Sequence, residues 1–412
     1  MIRRNITSKL ADAWADTPVV MLIGARQTGK TTLAIDWAER HKASYETLDD
    51  AAVLGAAAAD PQGFIHGLTL PAVIDEVQKI PALLPAIKLR VDHERKPGMF
   101  LLTGSANVLS LPRISESLAG RMEIHTLWPL SEGERAGYQE SFIPSLFAGR
   151  PPDPPDKRHT PTSLPALISK SGFPGNLKRS STRLEEWHRS YVTSILQRDV
   201  RDLAKIDGLT AMPNLLKLLA ARSSGLLNTS DLTRDAGIPN STLKRYLALF
   251  EMLFLVYRLP AWSGKLSKRL IKAPKVMLCD TALACHLLGA GPGLLRKDRV
   301  LMGHLLENFV ANELKKQTCW ADATVEIMHY RTASGRELDF ILEDRRGHMV
   351  AVEVKSSQAI KAEDFDAMRD LAGNVKSRFE CGVLLHDGSR VLPFGKHLWA
   401  APISSLWAGE KD

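Results

Sequence analysis

The first third of the chain alternates short apolar runs with segments of helical period. Val19–Ile23 reads VVMLI and stops at Gly24, and Thr31–Arg40 follows with Leu33, Ile35, Trp37 and Ala38 as its apolar members. That order predicts strand, glycine turn, helix. Runs at Pro71–Ile74 and Met99–Leu102 alternate with the helical stretch Leu83–His93, the spacing of a parallel sheet with covering helices. Between Gly149 and Pro165 six prolines stand in seventeen residues. Each fixes φ and removes a donor, so this segment predicts a linker or exposed loop.

Beyond it, Arg183–Leu203, Pro213–Arg222, Thr229–Ala236 and Asn240–Leu253 carry helical periodicity, with a tight turn at Gly237-Ile238-Pro239 before the last. A strand-like run, Phe254–Leu259, closes the unit. Helices, a glycine turn and then a strand is the order of a winged helix-turn-helix. From about Ser267 the pattern changes again. An amphipathic helix is predicted at Gly303–Lys316, followed by strands at Val325–Arg331, Leu338–Leu342, Met349–Val354 and Cys381–His386. The expected division is 1–140, 141–265 and 266–412.

A chain of 412 residues with 44% hydrophobic and 24% charged positions has the make-up of a folded protein of two or three domains. Its formal charge of +8 favours phosphate-rich partners without the density of a histone-like tail. The four cysteines, Cys279, Cys285, Cys319 and Cys381, form no CxxC pair, so neither a disulfide framework nor a zinc module is expected. No apolar run follows Arg3 and Arg4, and no stretch is long enough to span a bilayer. The chain therefore reads as cytoplasmic, with no membrane partner.

Gly24-Ala25-Arg26-Gln27-Thr28-Gly29-Lys30-Thr31 matches GxxxxGK[ST] in full. Small residues let consecutive amides wrap a phosphate at a helix N-terminus, Lys30 reaches the β- and γ-phosphates, and Thr31 presents its hydroxyl to Mg²⁺. The acid pair Asp75-Glu76 ends an apolar strand. A parallel sheet brings neighbouring strand ends to one edge, so Asp75 is assigned to the Mg²⁺ shell and Glu76 to the attacking water. At the end of the next strand Ser105, with Asn107 as second choice, is the candidate γ-phosphate or water contact. Arg121, with Arg113 as rival, is the candidate arginine finger.

Two further constellations stand out. Between Ser241 and Lys275 eight basic residues, Lys244, Arg245, Arg258, Lys265, Lys268, Arg269, Lys272 and Lys275, face one acid, Glu251. Such a cluster around a recognition helix attracts DNA phosphates; the same face also suits protein contacts. In the last unit Asp339 precedes a strand carrying Glu353 and Lys355. Alternation sends those two to one face. Asp339 and Glu353 can share a Mg²⁺, Lys355 can orient a nucleophile, and Glu307 on the preceding helix can add a metal ligand.

GARQTGKTTL, YETLDD, AVIDEVQKIPALL, FLLTGSANVL and SLAGRMEIHTLWPLS, in that order, resemble the large family of uncharacterised prokaryotic AAA+-type ATP-binding proteins. The resemblance continues into the C-terminal domain of unknown function that accompanies this core. It implies ATP binding and hydrolysis, and by analogy a ring or dimer. The lid arginine that such cores use as a second sensor is not evident here. Asp339, Glu353 and Lys355 resemble the acid, acid-x-lysine core of the PD-(D/E)XK nuclease-like superfamily. The expected fold is α/β throughout the two outer units: an AAA+-like P-loop NTPase sheet, a winged-helix domain, and a restriction-endonuclease-like domain. The expected function is a Mg²⁺-dependent ATPase with a DNA-binding middle and a nuclease-like end. The alternative is a nucleotide-dependent switch that binds a protein partner and cleaves nothing.

Overall fold

The computed structural model describes residues 2–105, 118–153, 163–200, 209–265, 267, 269, 272–332 and 335–411. Asn107, Arg113 and Lys268, named above, lie outside the described residues, as does part of the proline-rich segment.

The N-terminal unit is built on a five-stranded parallel sheet of β1 (Val19–Ile23), β2 (Ser44–Thr47), β3 (Ala72–Asp75), β4 (Phe100–Gly104) and β5 (Met122–Thr126), in the order β2-β3-β4-β1-β5. Both faces of β1 are covered, which is why VVMLI shows no polar alternation. Val19, Met21 and Ile23 pack with Phe100, Leu102 and Ile74 on one side. Val20 and Leu22 pack with Leu33, Trp37, Val73 and Leu101 on the other. The parallel register carries the ends of β1, β3 and β4 to one edge: Ile23 pairs with Gly104, and Ile74 with Leu102.

After the short strand β6 (Tyr138–Glu140), the middle unit contains helices Ser181–Ser194, Met212–Ala221, Thr229–Ala236 and Asn240–Met252. Gly237 ends the third with a φ of +64°, which glycine adopts without strain. The strand β7 (Val256–Leu259) pairs antiparallel with β8 (Lys275–Leu278). This ribbon crosses the division expected at residue 265, and β8 also bonds forward to helix Arg299–Gln317 through Asn308.

The C-terminal unit is a six-stranded mixed sheet. Its strands are β9 (Val325–Arg331), β10 (Glu337–Asp344), β11 (Met349–Lys355), β12 (Phe379–His386), β13 (Leu392–Gly395) and β14 (Leu398–Pro402), ordered β13-β14-β12-β11-β10-β9. Helix Arg299–Gln317 joins one core with Val350, Val352, Val383 and Leu385. Helix Asp366–Val375 covers the other face through Met368 and Leu371 against Ala351 and Leu384. The expected amphipathic helix is longer than Gly303–Lys316 and is buried around most of its circumference, including the polar residues Asn308, Glu313, Lys316 and Gln317. A last strand, β15 (Gly409–Lys411), returns to pair with β6. Among the described residues no helix is long and apolar enough to cross a membrane.

Candidate functional site

The turn after β1 owes its shape to three residues. Gly24 has φ +156°, and a Cβ there would stand 2.3 Å from the Leu127 carbonyl oxygen. Gln27 and Gly29 adopt φ +66° and +93°. Helix Lys30–His41 then begins at Gly29 with no side-chain cap. An N-terminus of this kind, with amides facing the loop, is built for an anion.

Lys30 lies buried inside the loop. Its Nζ donates to the carbonyls of Gly24 (3.0 Å) and Ala25 (2.8 Å). Burial lowers its pKa to about 8 against the opposing pull of Glu76 and Asp75. Thr31 Oγ1 stands 3.1 and 3.2 Å from the two carboxylate oxygens of Asp75, joining the start of the helix to the end of β3.

Asp75 has further hydroxyl partners that sequence reasoning missed. Tyr45 Oη (3.2 Å) and Thr47 Oγ1 (3.4 Å) reach it from β2, and Thr103 Oγ1 donates to it from β4. Burial and the neighbouring Asp75 carboxylate raise the Tyr45 phenol well above its ordinary pKa. Glu76 sits in the left-handed region at φ +60°, and its amide donates to Thr103 Oγ1 at 3.1 Å. Gln78 Nε2 donates both to the Glu76 carboxylate and to Ser105 Oγ, the latter at 3.0 Å. Ser105 is therefore brought to Glu76 through one amide.

Arg121 is not brought to this edge. It precedes β5, whose first residue pairs with Val19 at the start of β1, so it lies at the opposite end of the strands from the P-loop. Its guanidinium binds Asp92 and the Ala119 carbonyl. That position gives it no access to the phosphate loop of its own chain.

The carboxylates of the C-terminal unit do converge, but around a different lysine. Asp339 Oδ2 accepts from the Val354 amide (2.9 Å), and Glu353 Oε2 accepts from the Asp339 amide (3.3 Å). Lys275, from β8, puts its Nζ 2.5 Å from Glu307 Oε1 and 3.8 Å from Asp339 Oδ1. Lys355 turns away to Asp364. Burial raises all three acids: Glu307 to about 8, with Asp339 the next cause, and Asp339 and Glu353 upward as well. Among the described residues no group of three or more His, Cys, Asp or Glu is arranged to hold a metal ion. Glu307, Asp339 and Glu353 do not fit a divalent cation in this arrangement, because an ammonium already lies between two of them.

The basic segment is likewise partly consumed by the fold. Lys275 is buried with Glu307, Arg269 pairs with Glu343, and Arg258 forks onto Glu251 at 2.6 Å through both nitrogens. On helix Asn240–Met252 the exposed positions are Asn240, Ser241, Lys244, Arg245, Ala248 and none of the large apolar residues.

Two mycobacterial relatives align with the chain over almost its whole length. The uncharacterized protein Rv2008c of Mycobacterium tuberculosis and the uncharacterized protein Mb2031c of Mycobacterium bovis are each 30% identical over 374 residues, covering 90% of this chain and 78% of the relative. The chain belongs to their family. Within this family member, residues 16–136 match an AAA domain, and residues 162–293 and 302–406 match two domains of unknown function, DUF8612 and DUF4143. Solved structures align at lower identity. The Walker-type ATPase PABY2304 of Pyrococcus abyssi shares 15% identity over 70% of this chain and 96% of its own, with a TM-score of 0.44. The RuvB Holliday junction branch migration motor of Thermotoga maritima shares 20% over 65% and 93%, with a TM-score of 0.28. The AAA match and the parallel sheet with its glycine loop identify the N-terminal unit as a P-loop NTPase fold.

Proposed function

We propose that the protein is a Mg²⁺-dependent ATPase whose nucleotide site is the loop Gly24–Thr31 together with Asp75 and Glu76. One observation carries this reading: the Thr31 hydroxyl, from the start of helix Lys30–His41, and the Asp75 carboxylate, from the end of β3, lie within 3.2 Å of each other beside the buried Lys30. A hydroxyl and a carboxylate at a helix N-terminus are the oxygen pair a hard cation takes while it bridges nucleotide phosphates. Such a cation would neutralise phosphate charge there.

The remaining work falls to the chain's own groups. Lys30 exchanges the Gly24 and Ala25 carbonyls for phosphate oxygens. The amides of Ala25–Thr31 cradle the phosphates. Glu76, held by Gln78, orients and activates water, and Ser105 shares that hydrogen-bonded chain. Titration calorimetry with ATP and Mg²⁺ tests the site: Lys30→Ala should abolish binding. Glu76→Gln should bind ATP and release no phosphate; unchanged release would move the base elsewhere.

For the other units the observations favour a regulatory switch over a metal-dependent nuclease. Lys275 supports that choice, since its ammonium already lies against two of the three carboxylates, Glu307 and Asp339. DNA binding is a second reading of the middle unit as a winged helix, favoured by the small, polar and basic exposed face of Asn240–Met252. Plasmid incubated with Mn²⁺ and ATP separates the readings: cleavage lost in Asp339→Ala would restore the nuclease.

A further inference from the structure

Arg4 lies before the residues that match the AAA domain and is buried, with 7% of its surface exposed. Its guanidinium makes three bonds to three different parts of the fold. Nη1 donates to the Thr28 carbonyl in the phosphate loop at 2.8 Å, and Nη2 to the Trp128 carbonyl beyond β5 at 2.7 Å. Nε donates to Glu134 Oε1 at 3.0 Å. Glu134 is itself fixed: the same oxygen accepts the Asn5 amide at 2.8 Å, and Oε2 accepts the Ser131 amide at 3.1 Å. The carboxylate thus aims the fork, and the fork grips the loop.

The Thr28–Gly29 peptide is a planar trans unit, so its carbonyl and its N–H point in opposite directions. Holding the Thr28 oxygen outward on Arg4 turns the Gly29 N–H inward, toward the space that Lys30 and Thr31 flank. Gly29 at φ +93° has little side-chain restraint of its own to keep that orientation. We propose that Arg4 is a positioning residue of the nucleotide site, pre-setting the Gly29 amide for a phosphate oxygen, with Glu134 as its anchor. This rests on the ATPase reading above. Lysine cannot substitute, because a single ammonium on a flexible stem does not reproduce a planar fork spanning three acceptors.

The same junction continues into the C-terminal unit. The Glu132 amide donates to Glu313 Oε2 at 2.9 Å, and Lys316 Nζ donates to the Leu130 carbonyl at 3.0 Å. Glu313 and Lys316 sit on helix Arg299–Gln317, which also carries Glu307. Arg4 and this helix therefore grip the same segment, 128–134, from two sides.

The test uses the full chain as wild type, Arg4→Lys and Glu134→Gln, with circular dichroism and thermal melting to establish folding. ATP and ADP affinities are read by calorimetry, and KM and kcat by phosphate release. Phosphate-loop amides bind ground state and transition state alike, so KM should rise about tenfold with kcat within about twofold, and ADP affinity should fall in step. A merely structural role would lower the active fraction, reducing apparent kcat and leaving KM unchanged. Unchanged KM and ADP affinity in folded Arg4→Lys would overturn the proposal. Should that variant not fold, Glu134→Gln, which keeps the guanidinium and loosens its aim, decides by the same split. Wild-type protein that binds no nucleotide would instead refute the ATPase reading, and the role of Arg4 with it.

Discussion

Replacing Lys275 by methionine keeps most of the side-chain volume and removes the one ammonium among Glu307, Asp339 and Glu353. In the native arrangement the Lys275 side chain is 8% exposed and that of Glu307 13%. Removing one partner of so enclosed a pair costs about 3–5 kcal/mol, since the remaining charge has neither water nor counter-ion. The sign with pH follows from the carboxyls. Their folded pKa values are raised, Glu307 to about 8, so the folded state holds protons that the unfolded chain releases. Stability from these groups is present at low pH and is lost as pH rises through about 8. The variant's deficit should therefore be small near pH 5.5 and full near pH 8.5. Hydrogen exchange over residues 337–355, compared with wild type at each pH, reads this locally. At pH 8.5 a loss of about 3 kcal/mol is roughly a hundredfold faster exchange. Millimolar Mn²⁺ should restore protection in Lys275→Met and leave wild type unchanged. A deficit below about 1 kcal/mol, or one equal at both pH values, would refute the view that Lys275 is the compensating charge.

Lys30, lowered to about 8 in the nucleotide-free protein, should take up a proton when phosphate arrives. Calorimetry of ATP binding at about pH 9 in buffers of different ionisation enthalpy will show it, and buffer-independent heats would count against the buried lysine. For folding the sign is opposite: the folded pKa lies below the ordinary 10.5, so stability from Lys30 rises across that window. Replacing Lys244 and Arg245 together by alanine should weaken retention of duplex DNA and flatten its dependence on log salt by about 2, one unit per lost phosphate contact. An unchanged slope would move any DNA interface off helix Asn240–Met252.

The glycine loop after β1 was legible because its constraints are local. A glycine that must pass within reach of the Leu127 carbonyl, and a helix that starts on the loop's last glycine, leave marks at fixed spacing. The acid pair was legible because an apolar strand ending in carboxylates has one natural place in a parallel sheet. The neighbours of Asp75 were not, since Tyr45, Thr47 and Thr103 reach it only through the strand order β2-β3-β4. Register likewise removed Arg121, which a linear reading placed near the strand ends but β1 and β5 carry to the opposite edge. Lys275 was the largest misreading. Counted with a basic surface, it is drawn inward by Glu307 and Asp339, far along the chain, while Lys355, on the expected face beside Glu353, finds Asp364 nearer. Charge counts record sign, and only the tertiary fold says which charges remain for a partner.

The ribbon formed by β6 and β15 has a consequence for biosynthesis. Gly409 lies so close to Gln139 that an added Cβ would overlap its carbonyl oxygen, and the Ser141 amide donates to Ala408. The strand β6, which follows the segment that Arg4 and Glu134 brace, is thus paired by chain made hundreds of residues later. A nascent polypeptide carrying an intact phosphate loop would still lack this clasp until residue 411 has left the ribosome.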